Sequence, residues 1–397
     1  MNLESNFCGL ELKNPFLLAS APPAAGIEMI ERAFKAGWAG AVTKTLKPDY
    51  MDIKDASPRF HAVKEGSRVI GFENFELVSK KNLDYWKTGL MKLRKDWPEK
   101  ILIISIMGDN NRESWAELAF WAQGAGAQAL ELNFSCPHGM PEKGVGAAIG
   151  QNPDITRMIT QWVCQAVKIP VIVKLTPNVA SVLPIAEAAR KGGADALAAI
   201  NTVESIAGVD LKTLTPYPIV QGNSTFGGYS GPGIKPIGLR VVSQLAQGTE
   251  FPISAMGGIS SWRDAMEYIS LGANHVQLCT EVMVSGYGII KDLIAGTKKY
   301  MEEMGFSSLD DFRGAALSKL TSHSALHKDS PRIPEVDPSS CTKCGKCVIA
   351  CRDGGYQAIS FKDKRLVIDS GKCDGCGLCA LVCPESALSF EREKVCV

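Results

Sequence analysis

Eight of the thirteen cysteines in this 397-residue chain fall within a 43-residue stretch, as two runs of one form. Cys341-x-x-Cys344-x-x-Cys347-x-x-x-Cys351 is answered by Cys373-x-x-Cys376-x-x-Cys379-x-x-x-Cys383-Pro384. Thiolates so spaced hold iron–sulfur cubanes, and in the doubled form the fourth cysteine of each run reaches over to the other cluster. Cys341, Cys344, Cys347 and Cys383 are therefore expected on one 4Fe-4S centre, and Cys373, Cys376, Cys379 and Cys351 on a second. Gly345, Gly375 and Gly377 let the backbone wrap closely round the sulfides. Cys-x-x-Cys pairs also bind zinc, but two quartets of this kind favour iron. A two-cluster module passes single electrons, so a second group has to receive them.

The other reactive stretch is Glu131-Leu-Asn-Phe-Ser-Cys-Pro-His138, where the apolar run Ala129-Leu-Glu-Leu132 ends in Asn133, Ser135, Cys136 and His138. Catalytic side chains of a (β/α)8 barrel come from the carboxyl ends of its strands, so this reads as a strand opening onto an active site. Pro137 has no backbone donor and should end the pairing, leaving Cys136 on a loop able to move over a ligand. A lone cysteine is usually a small buried hydrophobe; the flanking Asn, Ser and Pro argue for function. His138 either tunes or resupplies the proton of Cys136, or is a structural loop residue. Cys8, Cys164, Cys396 and the Cys279 thiol fit the unreactive class.

Positioning these groups calls for a barrel. Short β-branched runs ending in polar or glycine residues occur at 16–21, 40–45, 101–107, 129–135, 171–176, 196–201, 253–259 and 275–280. Amphipathic stretches lie between them, at 27–37, 114–126, 154–167, 179–192, 235–247 and 261–272. Strand alternating with helix implies parallel pairing and right-handed crossovers. Eight such units close more naturally into a barrel than into an open doubly wound sheet, which is the alternative. The fold expected is α/β: a (β/α)8 barrel over 1–305, a linker over 306–338, and an α+β ferredoxin-like domain over 339–397. An insertion at 47–100 should build substrate walls on the active face. Within it Gly71-Phe-Glu-Asn-Phe-Glu76 has the look of a binding loop, and the glycines of the 220–231 segment allow amides to approach an anion.

Composition narrows the class. Lys and Arg number 43 against 42 for Asp and Glu, without a basic stripe, which speaks against nucleic acid or an anionic membrane as partner. No apolar run approaches the ~20 residues of a membrane span, and the amino terminus lacks a signal-peptide pattern. The clustered thiols call for a reducing compartment, so the cytoplasm is expected.

A group that takes electrons singly and delivers a hydride is a flavin. Gly257-Gly258 at the seventh strand and Cys279-Thr280 at the eighth coincide with the usual barrel phosphate site. FMN fits better than a dinucleotide, because no strand is followed by Gly-x-Gly-x-x-Gly opening a helix. Lys44 and Lys174 each end an apolar strand. Either alone could snorkel to solvent, but two aimed at one mouth suit the electron-rich end of the flavin.

The combination of Asn133-Phe-Ser-Cys-Pro-His138, Lys174-Leu-Thr-Pro-Asn178, Asn201-Thr202, Tyr229-Ser-Gly231, Met256-Gly-Gly-Ile259 and the paired cysteine runs resembles the catalytic half of the dihydropyrimidine dehydrogenase family. The likeness covers nearly the whole chain. It implies a barrel of the dihydroorotate dehydrogenase class that binds FMN and reduces the 5,6 double bond of uracil or thymine. By similarity, Asn74, Glu76, Asn133, Ser135, Asn201 and Thr202 bind the pyrimidine, and Cys136, with His138, supplies the acid. Ser20, Lys44, Thr45, Lys174, Gly231, Gly257, Gly258, Cys279 and Thr280 contact FMN, alongside Asn74, Asn133 and Asn201. The chemistry agrees. A uracil edge presents both carbonyl acceptors and N–H donors, which amide side chains match. Hydride from flavin N5 to ring C6 leaves carbanion character at C5 for a positioned acid to protonate.

In single-chain form this family has a further half with FAD, an NADPH site and more clusters. Its lack here implies an electron-donor subunit bearing FAD and a nicotinamide site, and the family's habit of association implies a homodimer within a hetero-oligomer. Pro141 departs from the flexible lid pattern and bears on substrate range. The alternatives are a dihydroorotate dehydrogenase, whose orotate carboxylate would want extra cationic anchoring, and a non-catalytic electron-transfer subunit. Replacing Cys136 with Ala separates the last: electron transfer through the clusters would survive while pyrimidine reduction would fall by about two to four orders of magnitude.

Overall fold

The computed structural model describes residues 1–135, 146–328, 331–363 and 365–390. They divide into two compact units, Met1–Leu320 and Thr321–Val397. The first is a closed barrel of eight parallel strands: β1 (Phe16–Leu18), β2 (Gly40–Val42), β3 (Ile101–Ile106), β4 (Ala129–Asn133), β5 (Val171–Lys174), β6 (Ala196–Ala199), β7 (Ile253–Ala255) and β8 (His275–Leu278). Each pairs with the next, and β8 closes on β1, with Val276 opposite Phe16. All eight expected strands are present, so the barrel stands and the open sheet does not.

Each strand is followed by a long helix, α1 (Ile27–Ala36), α2 (Leu83–Asp96), α3 (Arg112–Gly124), α4 (Pro153–Ala166), α5 (Leu183–Gly192), α6 (Lys235–Gly248), α7 (Trp262–Ser270) and α8 (Ile290–Met304), with short helical turns at Ala147–Gly150 before α4 and Thr280–Ser285 before α8. Their starts follow local chemistry. Asn152 accepts from the amides of Asp154 and Ile155 to cap α4, and Ser261 with Asp264 forms a reciprocal capping box on α7. Helix α1 buries Ile27, Ile30, Ala33 and Phe34 on one face, the spacing that turns an apolar stripe toward the strands. Outward residues of the strands join these helix faces in one core, while Leu17, Val42, Ile103, Ala129, Ile172 and Ala198 fill the barrel itself.

The amino-terminal end of the barrel is plugged. Strands Ser5–Phe7 and Leu10–Leu12 form a hairpin whose Phe7 and Leu12 enter the barrel core. Ser5 donates to the carbonyl of Asn274, just before β8, and the Phe7 ring meets His275, its first residue, edge to face at 4.4 Å. With that end closed, the cavity has to open at the other.

Over the carboxyl ends lies a four-stranded antiparallel sheet of Val203–Ser205, Gly227–Ser230, Arg68–Asn74 and Phe60–Glu65. Here the structure corrects the sequence reading: 71–74, expected within a binding loop, and 227–230, expected in a segment whose glycines let amides approach an anion, are strand. Their glycines answer to crowding. A Cβ at Gly71 would lie 2.3 Å from the Tyr229 hydroxyl, and one at Gly227 would lie 2.5 Å from Glu73. Glycine inside a strand often marks such a close approach.

The barrel unit continues past 305. Leu309 and Phe312 are buried, and Asn2 bridges to Ser308, so the 306–320 part of the expected linker packs with the barrel. The second unit holds helices Lys346–Gly354 and Leu378–Leu381, the hairpin Ile359–Lys362 with Arg365–Ile368, and a short pair between Glu335–Val336 and Leu388–Ser389. It is the α+β module expected.

Candidate active site

Several barrel strands stop pairing just short of polar residues, and those residues gather. Ser20 follows β1, Lys44 and Thr45 follow β2, Asn201 and Thr202 follow β6, Gly257 and Gly258 follow β7, and Cys279 and Thr280 follow β8. Asn133 and Lys174 are the last residues of β4 and β5. All of them line one cavity of about 1110 Å³, counting its open mouth. Asn74 and Glu76 reach it from the covering sheet, and Gly231 from the start of α6. Ser135 stands behind the wall, fully buried. Cys136 and His138 lie outside the described residues.

The polar groups orient one another. Asn133 donates to the Thr45 hydroxyl (2.9 Å) and accepts from the amide and hydroxyl of Ser135 (3.2 Å each). Asn201 donates to Ser135 Oγ (2.9 Å) and accepts from the Thr202 amide (2.9 Å). Asn74 donates to the Gly228 carbonyl (2.7 Å) and accepts from the Glu76 amide (3.1 Å). Three amides are thus presented in set orientations to one space, which lowers the entropy cost of recognising a planar polar ring. Lys44 pairs with Glu76, which also takes Arg59. Lys174 stands 3.3 Å from Glu131, whose side chain is fully buried. Burial pushes the Cys279 thiol up to about 11 even with Lys174 and Lys44 nearby, so it is a neutral thiol at the cavity floor.

Two features test the fit of a flavin phosphate and ring. Gly258 has φ +74°, and a Cβ there would lie 2.7 Å from the Lys235 backbone nitrogen, so the open space beside that amide exists only because the residue is glycine. Gln277, one of the lining residues, has a buried carbonyl oxygen with no hydrogen-bond partner among the described residues, an unsatisfied acceptor at the edge of the cavity.

In the second unit, one cavity of about 320 Å³, counting its open mouth, is lined by Cys351, Cys373, Cys376 and Cys379, and another of about 300 Å³, counted the same way, by Cys341, Cys344, Cys347 and Cys383. In each, the fourth cysteine comes from the other run. Gly345, Gly375 and Gly377 all have positive φ (76°, 77° and 82°). Cys351 Sγ accepts from the Ala358 amide (3.3 Å) and Cys383 Sγ from the Ala387 amide (3.2 Å). Among the described residues no three His, Cys, Asp or Glu side chains stand close enough to hold one metal ion. A zinc site draws four ligands to about 2.3 Å from a point; quartets spread round a cavity suit a larger inorganic core.

Sequence reasoning missed Arg59, Phe60, Phe72, Glu131 and Gln277. Phe60 and Phe72 line the cavity and meet edge to face at 6.4 Å. Phe72 lies within the 71–76 stretch singled out from the sequence but was given no role there, and Phe60 carries no local motif. Glu131 and Gln277 did carry a signal, since each is a polar residue at an inward position of an otherwise apolar strand.

A closed (β/α)8 barrel with a polar cavity at its carboxyl end, joined to a module of two cysteine quartets, defines a redox enzyme of the flavin and iron–sulfur class. Residues 2–301 match the dihydroorotate dehydrogenase family and residues 334–390 match the 4Fe-4S dicluster domain. The chain is 40% identical over 367 residues, 91% of its length and 88% of the relative's, to the NAD-dependent dihydropyrimidine dehydrogenase subunit PreA of Escherichia coli K12. It is 40% identical over 332 residues (81% and 78%) to the chloroplastic dihydropyrimidine dehydrogenase (NADP(+)) of Arabidopsis thaliana. Against the catalytic subunit of dihydroorotate dehydrogenase B (NAD(+)) of Pyrococcus abyssi the figure is 36% over 326 residues (79% and 99%). The chain belongs to the dihydroorotate dehydrogenase family, in its dihydropyrimidine dehydrogenase branch, and is an oxidoreductase. No helix among the described residues is long and apolar enough to cross a membrane.

Proposed function

We propose that this chain is the catalytic subunit of a dihydropyrimidine dehydrogenase that interconverts uracil or thymine and the 5,6-dihydropyrimidine. The observation that carries the reading is the convergence of three oriented asparagines and two strand-end lysines on one cavity. Greater identity, over a larger share of this chain, with the dihydropyrimidine relatives than with the dihydroorotate one supports the same substrate class. When bound, FMN supplies a hydride to ring C6 and takes its electrons one at a time from two 4Fe-4S clusters.

The chain's own residues do the rest. Asn74, Asn133, Asn201 and Thr202 present donors and acceptors to the pyrimidine, with Glu76 accepting from ring N–H. Ser135 holds Asn133 and Asn201 in place. Cys136 delivers the proton to C5 on the opposite face, with His138 beside it in the chain as its source. Lys44 and Lys174 would place positive charge beside the flavin, Gly231, Gly257, Gly258 and Thr280 would hold its phosphate, and Ser20, Thr45 and Cys279 would also contact it. Electrons come from NAD(P)H through an FAD-bearing partner subunit, and two copies of this chain form the centre of that complex in the reducing cytoplasm.

Titrating the oxidised holoprotein with uracil, thymine and orotate while following the flavin spectrum tests the reading. Saturable perturbation by uracil or thymine at concentrations where orotate has none is expected, as is reduction by an artificial donor but not by NAD(P)H. Absence of bound flavin, or a response to orotate alone, would refute it.

A further inference from the structure

The interior of a (β/α)8 barrel is ordinarily packed with branched apolar side chains. This one holds a chain of polar groups through its centre. Glu131, an inward residue of β4, is fully buried with its carboxylate 3.3 Å from Lys174 Nζ on β5. The side-chain amide of Gln277 on β8 donates to Glu131 Oε2 (2.9 Å) and to Ser254 Oγ on β7 (2.8 Å). Ser254 in turn lies 2.8 Å from His275 Nε2. Two acceptors on one amide nitrogen settle its orientation, because the reverse would set the amide oxygen against a carboxylate.

Burying a carboxylate costs several kcal/mol unless it is paired and hydrogen-bonded, and a buried ion pair is frequently no more stable than an apolar replacement. Fold stability is therefore a poor reason for Glu131. Nor is the chain a route for protons to solvent, since His275 at its far end packs against the Phe7 plug. Its near end is different. Lys174 and Gln277 both line the cavity. What the chain does is fix the Glu131 carboxyl group 3.3 Å from the Lys174 ammonium that lines the cavity.

We propose that Glu131 is a positioning residue: a buried counter-ion that sets how much of the Lys174 charge reaches the bound flavin, and so sets the flavin's reduction potential. This rests on the flavin reading above. With Glu131 ionised, Lys174 is held in place but partly cancelled; without it, Lys174 favours the anionic reduced ring more strongly. The pair keeps the potential below what an unpaired Lys174 would give.

The test is a spectroelectrochemical titration of the flavin in the holoenzyme and in Glu131→Gln, which preserves shape and removes the charge. The variant should favour the reduced flavin by about tenfold or more, about 30 mV upward for a two-electron couple. Ser254→Ala, which breaks the chain but alters no charge, should leave the potential in place. If Glu131→Gln does not retain flavin, Glu131→Asp, with its charge drawn back from Lys174, should shift the potential the same way by less. An unchanged potential in a flavin-loaded Glu131 variant, an equal shift in Ser254→Ala, or loss of flavin or fold in both Glu131 variants while Ser254→Ala stays loaded would overturn the inference. A wild-type protein without flavin would instead sink the functional reading beneath it.

Discussion

His275 shows how a single residue ties the barrel's interior to solution conditions. Burial, with Arg313 nearby, pushes its pKa from 6.5 down to about 3, so it is neutral in the folded protein. The unfolded chain takes up a proton near 6.5, which makes unfolding progressively easier as the medium acidifies. The stability that depends on a neutral His275 is complete above pH 6.5 and is lost as pH falls toward 3. Replacing it with Gln, which is uncharged throughout, should therefore give a shallower fall in melting temperature between pH 6.5 and 4 than the wild type shows. Parallel profiles would show that His275 does not titrate on unfolding as its burial requires.

Among the elements, the amino-terminal hairpin and the covering sheet divide the labour at opposite ends of the barrel. The hairpin closes the floor with Phe7 and Leu12, both 1% exposed. Truncating Phe7 to Ala should cost about 3–5 kcal/mol, the range for emptying a buried aromatic site, read as a lower denaturant midpoint. Because Phe7 is not among the cavity-lining residues, flavin content per folded molecule should be unchanged; loss of flavin would mean that floor and mouth are coupled. The covering sheet was the element hardest to foresee. Gly71 and Gly227 read as loop punctuation when taken locally, whereas in space each makes room for a strand far away in the chain. Gly228 pairs with Asn74 in the ladder, 154 residues away.

For the whole molecule, the two units differ in what holds them together. The barrel unit has a large continuous apolar core. In the tail, the buried core is Cys347, Ile359, Cys379 and Leu388, and two of these four are cluster thiols. A unit with so small an apolar core draws much of its folding energy from a bound metal centre. Calorimetry of the iron-loaded protein should show two transitions, and removing iron and sulfide anaerobically should abolish the tail's transition while leaving that of the barrel within a few degrees. A tail transition that persists without iron would show that its apolar packing suffices.

Local pattern was enough to establish eight strands with helices between them, the two cysteine quartets and the polar strand ends, because each of these is written in spacing along the chain: apolar periodicity, the Cys-x-x-Cys repeat, and the switch from apolar to polar at a carboxyl end. The mutual arrangement of these groups was settled only in three dimensions. That Glu76 sits between Lys44 and Arg59, that Ser135 braces two asparagines instead of facing the cavity, and that Glu131 meets Gln277 across 146 residues all depend on barrel closure. Closure brings inward positions of distant strands within hydrogen-bond range, and no local spacing encodes which of those positions will face one another.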